Sequence, residues 1–367
     1  MASQLPDDRI VMTLDAGRTG LKFSAIRGIE IVVGPVTRAT EGDNLDRCLH
    51  NIIDGFETLQ HSLPAAPVAI SFAFPGPADY PRGIISNLKN FPAFEGDVAL
   101  GPILEDKFHI PVFINNDGDL FAYGEAIAGF LPYVNDLLAK AGNPKRFRNL
   151  LGITLGTGFG AGIVHDGQLL LGDNSAAGEA WLLRNKLDPN TNAEEGTSIR
   201  AVRRVYAQHA HTNFEDAPEP KVIFEIGMGQ APGNQEAARE AYRQLGVVTG
   251  DAIAQALTLI DGLVVLGGGI SPAWPLFMPA LIESLNATYD ANRLPRLPSI
   301  VFNAQDSADL ERFLHGDARQ VSLGHSARTI EFDPMRRTAV GLSRLGTTLA
   351  VAVGARAFAL RKLDHPD

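Results

Sequence analysis

Two glycine-rich turns, far apart in the chain, have the composition of phosphate-binding loops. The first, DAGRTG at residues 15–20, follows the apolar run Ile10–Leu14. The second, GTGFGAG at residues 156–162, follows the apolar run Leu150–Leu155. Glycine permits the tight turns in which backbone N–H groups face an anion, although the same composition also connects ordinary hairpins. The pair predicts one nucleotide bound by two similar halves of the chain.

The first turn carries polar side chains suited to a metal–phosphate complex. Asp15 could hold Mg²⁺, often through water. Thr19 and the amides of the turn, including that of Gly17, are candidate contacts for phosphate oxygens, and Lys22 adds a cation. The alternative is an ordinary Asp-Ala-Gly hairpin, which does not explain why an aspartate follows a wholly apolar strand.

The second turn offers the amides of Gly156, Thr157 and Gly158 to phosphate. Gly268 and Gly269 follow a further apolar strand and would let the backbone approach an adenine or a ribose closely, with a plain strand-to-helix turn as the alternative. A P-loop is unsupported, because no GxxxxGK[ST] motif is present. A Rossmann site is also disfavoured, because the second turn separates two predicted strands.

A polar segment after a buried strand, VFINNDGD at residues 112–119, supplies a candidate base. Asp117 could accept the proton of a substrate hydroxyl that attacks phosphorus, and Asn116 could orient neighbouring hydroxyls. The alternative is an Asx turn capping a helix that starts near Leu120. Asp119 fits that cap, so we expect Asp117 to be free for chemistry.

Three loop residues are candidate contacts for sugar hydroxyls, because amides and carboxylates hydrogen-bond hydroxyls directionally. Asn87 lies in the loop region after Pro75-Gly76-Pro77, and Glu179 and Glu194 lie in a loop-rich stretch. Glu195, next to Glu194, lies in the same stretch. For each of them, ordinary loop chemistry or a solvated surface position is the alternative.

Composition limits the class of protein. The length of 367 residues predicts two domains. The net charge of −10 disfavours a nucleic-acid-binding protein, because such proteins carry an excess of basic residues. The one cysteine, Cys48, excludes an intrachain disulfide and a cysteine-rich zinc site, and we expect it in the core. Without a signal pattern or a membrane-spanning apolar run, we expect a cytoplasmic protein with no membrane partner.

The elements that must position these residues alternate between strands and helices. Strands are predicted at Ile10–Leu14, Leu21–Ile26, Ile29–Val33, Val68–Phe72, Val112–Ile114, Leu150–Leu155, Ala161–His165, Gln168–Leu171, Leu263–Leu266 and Ser299–Phe302. Helices are predicted at Leu45–Gln60, Gly101–Phe108, Leu120–Ala128, Thr197–Gln208, Gln235–Ile260, Leu276–Tyr289 and Arg344–Arg361. Gly129–Asn149 is predicted to be a domain crossing with a surface excursion, and Gln320–Glu331 has no assigned role.

Five segments, in order, resemble motifs of the ROK family of sugar kinases and regulators. They are TLDAGRTGLKFSA, SFAFPGPADYPRGIISNLKNF, INNDGDLFAYGEA, LLGITLGTGFGAGIVHDGQLLLGDNSAAGE and LVVLGGGIS. The resemblance extends from Ile10 to about Phe358. It implies an α/β, actin-like ATPase (ribonuclease H-like) fold, with ATP and sugar in the cleft between two domains. We expect residues 1–128, completed by a helix at about 345–367, to form the small domain and residues 129–344 the large one.

The resemblance also implies roles for particular residues. Asp117 matches the catalytic base and Asn116 its sugar-contacting neighbour. Glu179 matches the first acid of the family's Gly-Glu-x-Gly-His element, but Trp181 and Leu182 stand where Gly and His are expected. The cysteine-rich zinc motif that normally follows is missing, so we expect no structural zinc.

Downstream of that departure, Glu194 lies four residues before Ser198 and resembles the acidic sugar contact after the zinc motif. Glu195 is a less favoured choice for the same role. The resemblance therefore implies an ATP- and Mg²⁺-dependent, glucokinase-like sugar kinase. It would phosphorylate the 6-hydroxyl of glucose or a related hexose, with Asp117 as the base and Asp15 linked to the magnesium ion. A homodimer is the family default, and the sugar itself is left open among glucose, mannose, fructose and N-acetylated hexosamines.

Three alternative functions differ from this expectation. A catalytically idle sugar-binding or regulatory protein is compatible with the altered Glu-Ala-Trp-Leu segment but does not explain the retained Asp15, Thr157 and Asp117. A sugar-responsive repressor is disfavoured by the nine residues before the first strand and by the net charge. Another actin-like ATPase, such as an acetate kinase relative, lacks the sugar-loop match.

Overall fold

The computed structural model describes residues 7–17, 20–88, 92–324 and 328–366. The chain divides into two units. The first comprises residues 1–129, 169–177 and 345–367, and the second comprises residues 130–168 and 178–344.

The first unit is built on a mixed sheet with the strand order β3-β2-β1-β4-β8. The strands of this unit are β1 (Val11–Ala16), β2 (Gly20–Arg27), β3 (Glu30–Ala39), β4 (Ala69–Ala73), β5 (Ala78–Asp79), β6 (Ile84–Ser86), β7 (Asp97–Val98) and β8 (Val112–Asn115). Its first helices are α1 (Leu45–His61), α2 (Leu100–Phe108) and α3 (Asp117–Ile127). The short strands β5, β6 and β7 form a separate small sheet.

The register of the first sheet gathers polar residues at one edge. β1 pairs antiparallel with β2, whereas β1, β4 and β8 run parallel. Asp15 is paired with Ala73, and Ala73 with Asn115. Because parallel strands present their carboxyl ends at the same edge, Asp15 and the start of α3 lie at that edge together.

A buried aromatic cluster holds this sheet against α1. Phe23 and Phe56 meet edge to face with their ring centroids 4.9 Å apart. Cys48 and Ile52, on the same face of the helix, are fully buried, which confirms the expected core position of the cysteine. The Asn44 side chain accepts a hydrogen bond from the Arg47 amide and so caps the helix at its first turn.

The second unit is built on a sheet with the order β11-β10-β9-β12-β16-β13. The strands after β8 are β9 (Leu150–Leu155), β10 (Phe159–His165), β11 (Gln168–Leu169), β12 (Leu263–Gly267), β13 (Ile300–Asn303), β14 (Arg319–Ser322), β15 (Thr329–Phe332) and β16 (Arg337–Leu342). The helices of the unit are α4 (Phe130–Lys140), α5 (Glu194–Thr197), α6 (Ile199–Ala210), α7 (Pro220–Gly227), α8 (Gln235–Ile260), α9 (Trp274–Leu285) and α10 (Ser307–His315).

Both sheets have the same plan. An antiparallel pair, β1 with β2 or β9 with β10, surrounds a glycine turn, and parallel strands extend the sheet beyond it. This confirms the expectation that each half begins with a strand pair around such a turn. Among the helices of the described ranges, none combines the length and apolar character that a bilayer crossing requires.

The last helix, α11 (Thr347–Asp364), belongs to the first unit and packs on α3 at very short range. A Cβ added to Gly124 would lie 1.9 Å from the Ala350 carbonyl oxygen, and one added to Gly354 would lie 1.9 Å from that of Leu120. Only glycine permits this approach of two helix backbones. α3, whose first residue is Asp117, is therefore firmly fixed.

A buried ion pair lies inside the second unit. Arg337 Nη1 is 2.6 Å from Asp333 Oδ2, and the two side chains are 0% and 2% exposed. Asn143 donates to the same carboxylate at 2.9 Å, and Arg337 Nε donates to the Phe313 carbonyl at 2.6 Å. The pair fastens the amino end of β16 to α10.

Several elements differ from those predicted. Residues 130–140 form α4 and not part of a linker, because Pro132 stands in the first turn, where no helical N–H bond is required. Gln320–Glu331 includes a two-stranded ribbon of β14 and β15. The helices α7 and α10, the short helix α5, the short strands β5, β6 and β7, and the buried strand β16 were not predicted. β3 continues to Ala39, well beyond the predicted end at Val33, and the other predicted strands and helices are confirmed within a few residues at their ends.

Candidate active site

A cavity of about 480 Å³ opens at the carboxyl edge of the first sheet. Four of the predicted functional residues line it: Asp15, Lys22, Asn116 and Asp117. Thr347 and Thr348, which were not predicted as functional residues, also line the cavity from the start of α11. The available signal was the sequence Gly346-Thr347-Thr348, which places two hydroxyl groups next to a glycine just before an alanine-rich helix.

Asp117 is the first residue of α3, and its carboxylate accepts a hydrogen bond from the Gly118 amide at 2.9 Å. Asn116 caps the helix, with its Oδ1 accepting from the same amide at 2.8 Å. The expected cap at Asp119 is therefore wrong. The helix begins three residues earlier than Leu120, and Asp119 is a buried residue within it, because the Asn116 amide already satisfies the first free N–H group.

Burial raises the pKa of the Asp117 carboxyl above its ordinary value, although the side chain remains accessible from the cavity. The backbone amides of Gly118 and Asp117 itself act in the opposite direction, and the negative charge of Asp15 adds to the increase. A carboxylate with a raised pKa has a higher affinity for a proton than an ordinary aspartate. That property suits a general base.

Asp15 and Lys22 lie opposite each other in the register of β1 and β2, and both are exposed. The Gly17 amide donates to the Gly20 carbonyl at 3.0 Å and closes the turn behind them. A Cβ at Gly17 would lie 2.8 Å from that oxygen, so glycine is required there. The predicted phosphate contact Thr19 lies outside the described residues.

The donor set fits a magnesium ion better than a metal held by protein alone. In the described ranges, no group of three or more His, Cys, Asp or Glu side chains is arranged to hold a metal ion. Asp15 supplies one exposed carboxylate at the cavity. Mg²⁺ commonly binds one or two carboxylates and takes its remaining ligands from substrate phosphates and water.

In the second unit, two glycine turns meet at the carboxyl ends of adjacent parallel strands. The Gly156 amide donates to the Gly158 carbonyl at 3.0 Å, which closes the turn between β9 and β10. The Ile270 amide donates to the Leu155 carbonyl at 3.0 Å, so the loop after β12 packs on the end of β9. The structure therefore brings Gly156–Gly158 and Gly268–Gly269 to one edge of the sheet.

Alanine at Gly268 is expected to destabilise the protein by about 3 kcal/mol or more, while alanine at Gly269 changes its stability by less than about 1 kcal/mol. Gly268 has a φ of +85°, and a Cβ there would lie 2.3 Å from the Leu155 oxygen. A Cβ at Gly269 meets nothing within 4 Å. Urea unfolding of the two variants measures the difference, and equal losses would contradict this account of the turn.

Glu194 lies against the glycine turn of the second unit. Its Oε2 accepts from the Phe159 amide at 3.2 Å, and its Oε1 is 3.3 Å from Arg200 Nη2. A Cβ at Gly158 would lie 2.8 Å from Glu194 Oε2, so a larger residue there would displace the Glu194 carboxylate. Glu195, the less favoured candidate, forms ion pairs with Arg200 and Arg204. Glu194 is thus a neighbour of the predicted phosphate contacts.

Asn87 closes the loop between β6 and β7. Its Oδ1 accepts from the Gly96 amide at 3.2 Å, and its own amide donates to the Gly96 carbonyl at 3.3 Å. It has a φ of +50° and does not line the 480 Å³ cavity. Its side-chain oxygen is engaged locally, which leaves the side-chain NH₂ group to bind a ligand.

A second cavity, of about 860 Å³, lies at the amino ends of α8 and α9 and was not predicted. Charged and polar side chains line most of it, including His209, Arg239, Glu240 and Arg243, with Pro275 and Leu276 on the side of α9. No compact motif marks it, because its residues come from three separate helices.

Comparison with known proteins identifies close relatives of this architecture. The family model described as ROK family matches residues 11–309. A crystal structure of a glucokinase from Parabacteroides distasonis superposes with a TM-score of 0.90 and 52% sequence identity, covering 97% of this chain and 98% of that one. An N-acetyl-D-glucosamine kinase from Photobacterium profundum is 26% identical over 275 residues, which are 70% of this chain and 83% of the relative.

A more distant structure shares the fold. A ROK family glucokinase from Streptomyces griseus, solved with glucose and AMPPNP, has a TM-score of 0.60 at 18% identity and covers 95% of this chain and 98% of its own. Together with the Parabacteroides structure, it confirms the expected α/β, actin-like ATPase fold with two domains and two mixed sheets.

Proposed function

The chain belongs to the ROK family, and from this premise we propose that it transfers the γ-phosphoryl group of ATP to the 6-hydroxyl of glucose or a related hexose, with Asp117 as the general base. Membership and the 52% identity to a glucokinase make it a glucokinase-like sugar kinase. The observation that carries the assignment of the base is the position of Asp117, at the head of a fixed helix, in one cavity with Asp15 and Lys22.

The proposed reaction needs one proton acceptor and one charged leaving group. Asp117 accepts the proton of the sugar hydroxyl as that oxygen forms a bond to the γ-phosphorus. The bond between the γ-phosphorus and the bridging oxygen breaks, and ADP leaves with the electron pair. Asp117 then releases its proton to water. Its raised pKa matches this cycle, because the base must bind a proton and release it again.

The nucleotide contacts of the proposal come from glycine turns in both units. The amides of Gly156, Thr157 and Gly158 would stabilise the transferring phosphoryl group, and Lys22 would supply a cation. Asp15 would hold Mg²⁺, whose contribution when bound is to neutralise charge on the phosphate oxygens. The bound AMPPNP of the Streptomyces relative supports ATP as the donor.

Adenosine binding is assigned to the loop of Gly268 and Gly269 and to the 860 Å³ cavity beyond it. The loop leads directly into α9, and residues of α9 line that cavity. Its polar lining suits a base and a ribose better than an apolar ligand.

Four residues are proposed to contact the sugar: Asn87, Asn116, Glu179 and Glu194. Since Asn116 Oδ1 is occupied by the helix cap, its NH₂ group is the one that would donate to a hydroxyl. Glucose in the Streptomyces relative supports a hexose substrate, and the name of the Photobacterium relative favours N-acetyl-D-glucosamine as a second candidate.

A coupled ADP-release assay over glucose, mannose, fructose and N-acetylated hexosamines tests the proposal. We expect ADP release with at least one hexose, fastest with glucose, and a 6-phosphate product by phosphorus NMR. Faster ADP release with N-acetyl-D-glucosamine than with glucose would identify N-acetyl-D-glucosamine as the preferred substrate. Saturable sugar binding without ADP release from any sugar would instead support the idle sugar-binding alternative. We also propose that the protein is a homodimer, and light scattering of the purified protein tests this.

A further inference from the structure

An indole–carboxylate hydrogen bond lies next to β10 of the second unit: Trp181 Nε1 donates to Glu179 Oε2. We propose that Trp181 is a positioning residue, which orients the Glu179 carboxylate for the sugar. This rests on the proposed function, in which Glu179 binds a sugar hydroxyl.

The backbone fixes the spacing between the two side chains. Gly178, with a φ of +85°, turns the chain directly over β10, where an added Cβ would lie 3.0 Å from the Ala161 carbonyl oxygen. The Leu182 amide then donates to the Glu179 carbonyl at 3.1 Å, and residues 180–182 form one turn of 3₁₀ helix. Glu179 and Trp181 therefore have little freedom to separate.

The indole ring is anchored, unlike its neighbour in the chain. Trp181 is partly buried and packs against the hydrophobic core of the second unit, as does Leu183. Leu182 is 59% exposed. A rotation of the indole away from Glu179 would expose apolar surface, so the core holds the N–H group in place.

The same segment is tied to the second acidic residue. The Ala193 amide donates to the Leu183 carbonyl at 2.6 Å, and Glu194 follows at once. The carboxylates of Glu194 and Glu179 differ in how many of their oxygen atoms already accept a hydrogen bond. Glu194 uses both oxygens, one on the Phe159 amide and one on Arg200.

Glu179 has a different hydrogen-bond arrangement. An indole N–H is a donor only, so it occupies Oε2 and leaves Oε1 to accept from another donor. A sugar hydroxyl is such a donor. The fixed indole thus selects one orientation of the carboxylate before the sugar arrives, which lowers the cost of ordering it on binding.

Trp181→Phe tests the proposal, because it removes the N–H group and keeps an aromatic ring in the core. We expect the KM for the sugar to rise about tenfold, the order of one hydrogen bond to a charged group, with kcat and the KM for ATP within about twofold. Leu182→Ala, an exposed neighbour, is the matched control and should leave all three constants unchanged.

A double-mutant cycle separates positioning from packing. In a Glu179→Ala background, adding Trp181→Phe should change the KM for the sugar by less than about twofold. The same tenfold increase in both backgrounds would mean that Trp181 acts through packing alone, and would overturn the proposal.

Indole NMR gives a readout that needs no sugar. The chain has two tryptophans, so Trp181→Phe identifies the Trp181 N–H resonance by its disappearance. Glu179→Ala should shift that resonance upfield, and an unmoved resonance would overturn the proposal. If the unmodified enzyme phosphorylates no sugar, the proposed function fails, and the indole resonance still decides whether Trp181 holds Glu179.

Discussion

Asp117→Asn is expected to lower the rate of phosphoryl transfer by about 10²–10⁴-fold, the usual contribution of a general base. The asparagine keeps the size of the side chain and its oxygen can still accept from the Gly118 amide, so sugar binding and the α3 terminus should persist. Steady-state kinetics measures the loss in kcat, and calorimetry measures the retained sugar affinity. Full activity in the variant would remove Asp117 from the mechanism.

The pH dependence of the reaction provides a second check on the same residue. The base works in its ionised form, and burial raises its pKa above the ordinary value of 3.8. The rate should therefore fall as the pH decreases through this raised pKa, at a higher pH than for an ordinary aspartate. Residual activity of Asp117→Asn should lack that decline. Asp106→Asn, an exposed aspartate of α2, is the matched control and should behave as the unmodified protein.

The stability of the variant follows from the same shift. A carboxyl with a raised pKa binds its proton more tightly in the folded state, so its contribution to stability is present at low pH and is lost as the pH rises through the folded pKa. At neutral pH the ionised Asp117 therefore opposes folding. Asp117→Asn should melt at the same temperature as the unmodified protein or higher, and a lower melting temperature would contradict this account.

Asp333→Ala is expected to lower the free energy of unfolding by about 3–5 kcal/mol, because it leaves the buried Arg337 without its counter-ion. Asp333 also accepts from the Asn143 side chain and from the amides of Asp317 and Met335, so four donors lose their acceptor at once. Urea unfolding measures the change. Asp136→Ala, which breaks the exposed pair with Lys140, is the control and should cost less than about 1 kcal/mol.

A double variant tests whether the unpaired charge of Arg337 causes the loss of stability in Asp333→Ala. Asp333→Leu with Arg337→Met removes both ions, and it should recover much of the stability that Asp333→Ala loses. A double variant less stable than Asp333→Ala would mean that the hydrogen bonds of the cluster matter more than the unpaired charge.

Acid should weaken the same cluster. Burial alone would raise the pKa of Asp333, but the hydrogen bonds from Asn143 and Arg337 outweigh it and hold the pKa at about 2, below the ordinary 3.8. The depressed pKa stabilises the fold at pH values above about 3.8, and this contribution is lost as the pH falls towards 2. The decline in this range should be smaller in Asp333→Ala.

The sequence was most informative where the chemistry is local. An apolar run that ends in glycines marks a strand and its turn without any knowledge of the partner strands, and both phosphate-type turns were predicted in this way. Asp117 was found for the same reason, since it directly follows a buried strand. The register that sets Asp15 opposite Lys22 then follows from the turn between their strands.

The incorrect or missing predictions concern features that the local sequence does not determine. Asn116 and Asp119 are both good helix caps, and the local sequence does not reveal that the Asn116 side chain accepts from the Gly118 amide and starts the helix at Asp117. The placement of Glu194 on the glycine turn depends on α5 and α6, far from that turn in sequence. β16 was missed because its few apolar residues resemble many loops until β12 and β13 are found on either side of it.

The close packing of α3 on α11 has a consequence for biosynthesis. The ribosome synthesises α3 long before α11. The face of α3 that contains Gly124 and the Leu120 carbonyl therefore stays unpacked until α11 has been made. The second unit, apart from residues 169–177, is made without such an interruption. The second unit can thus finish folding first, and the unit that carries Asp117 is completed only after α11 has been translated.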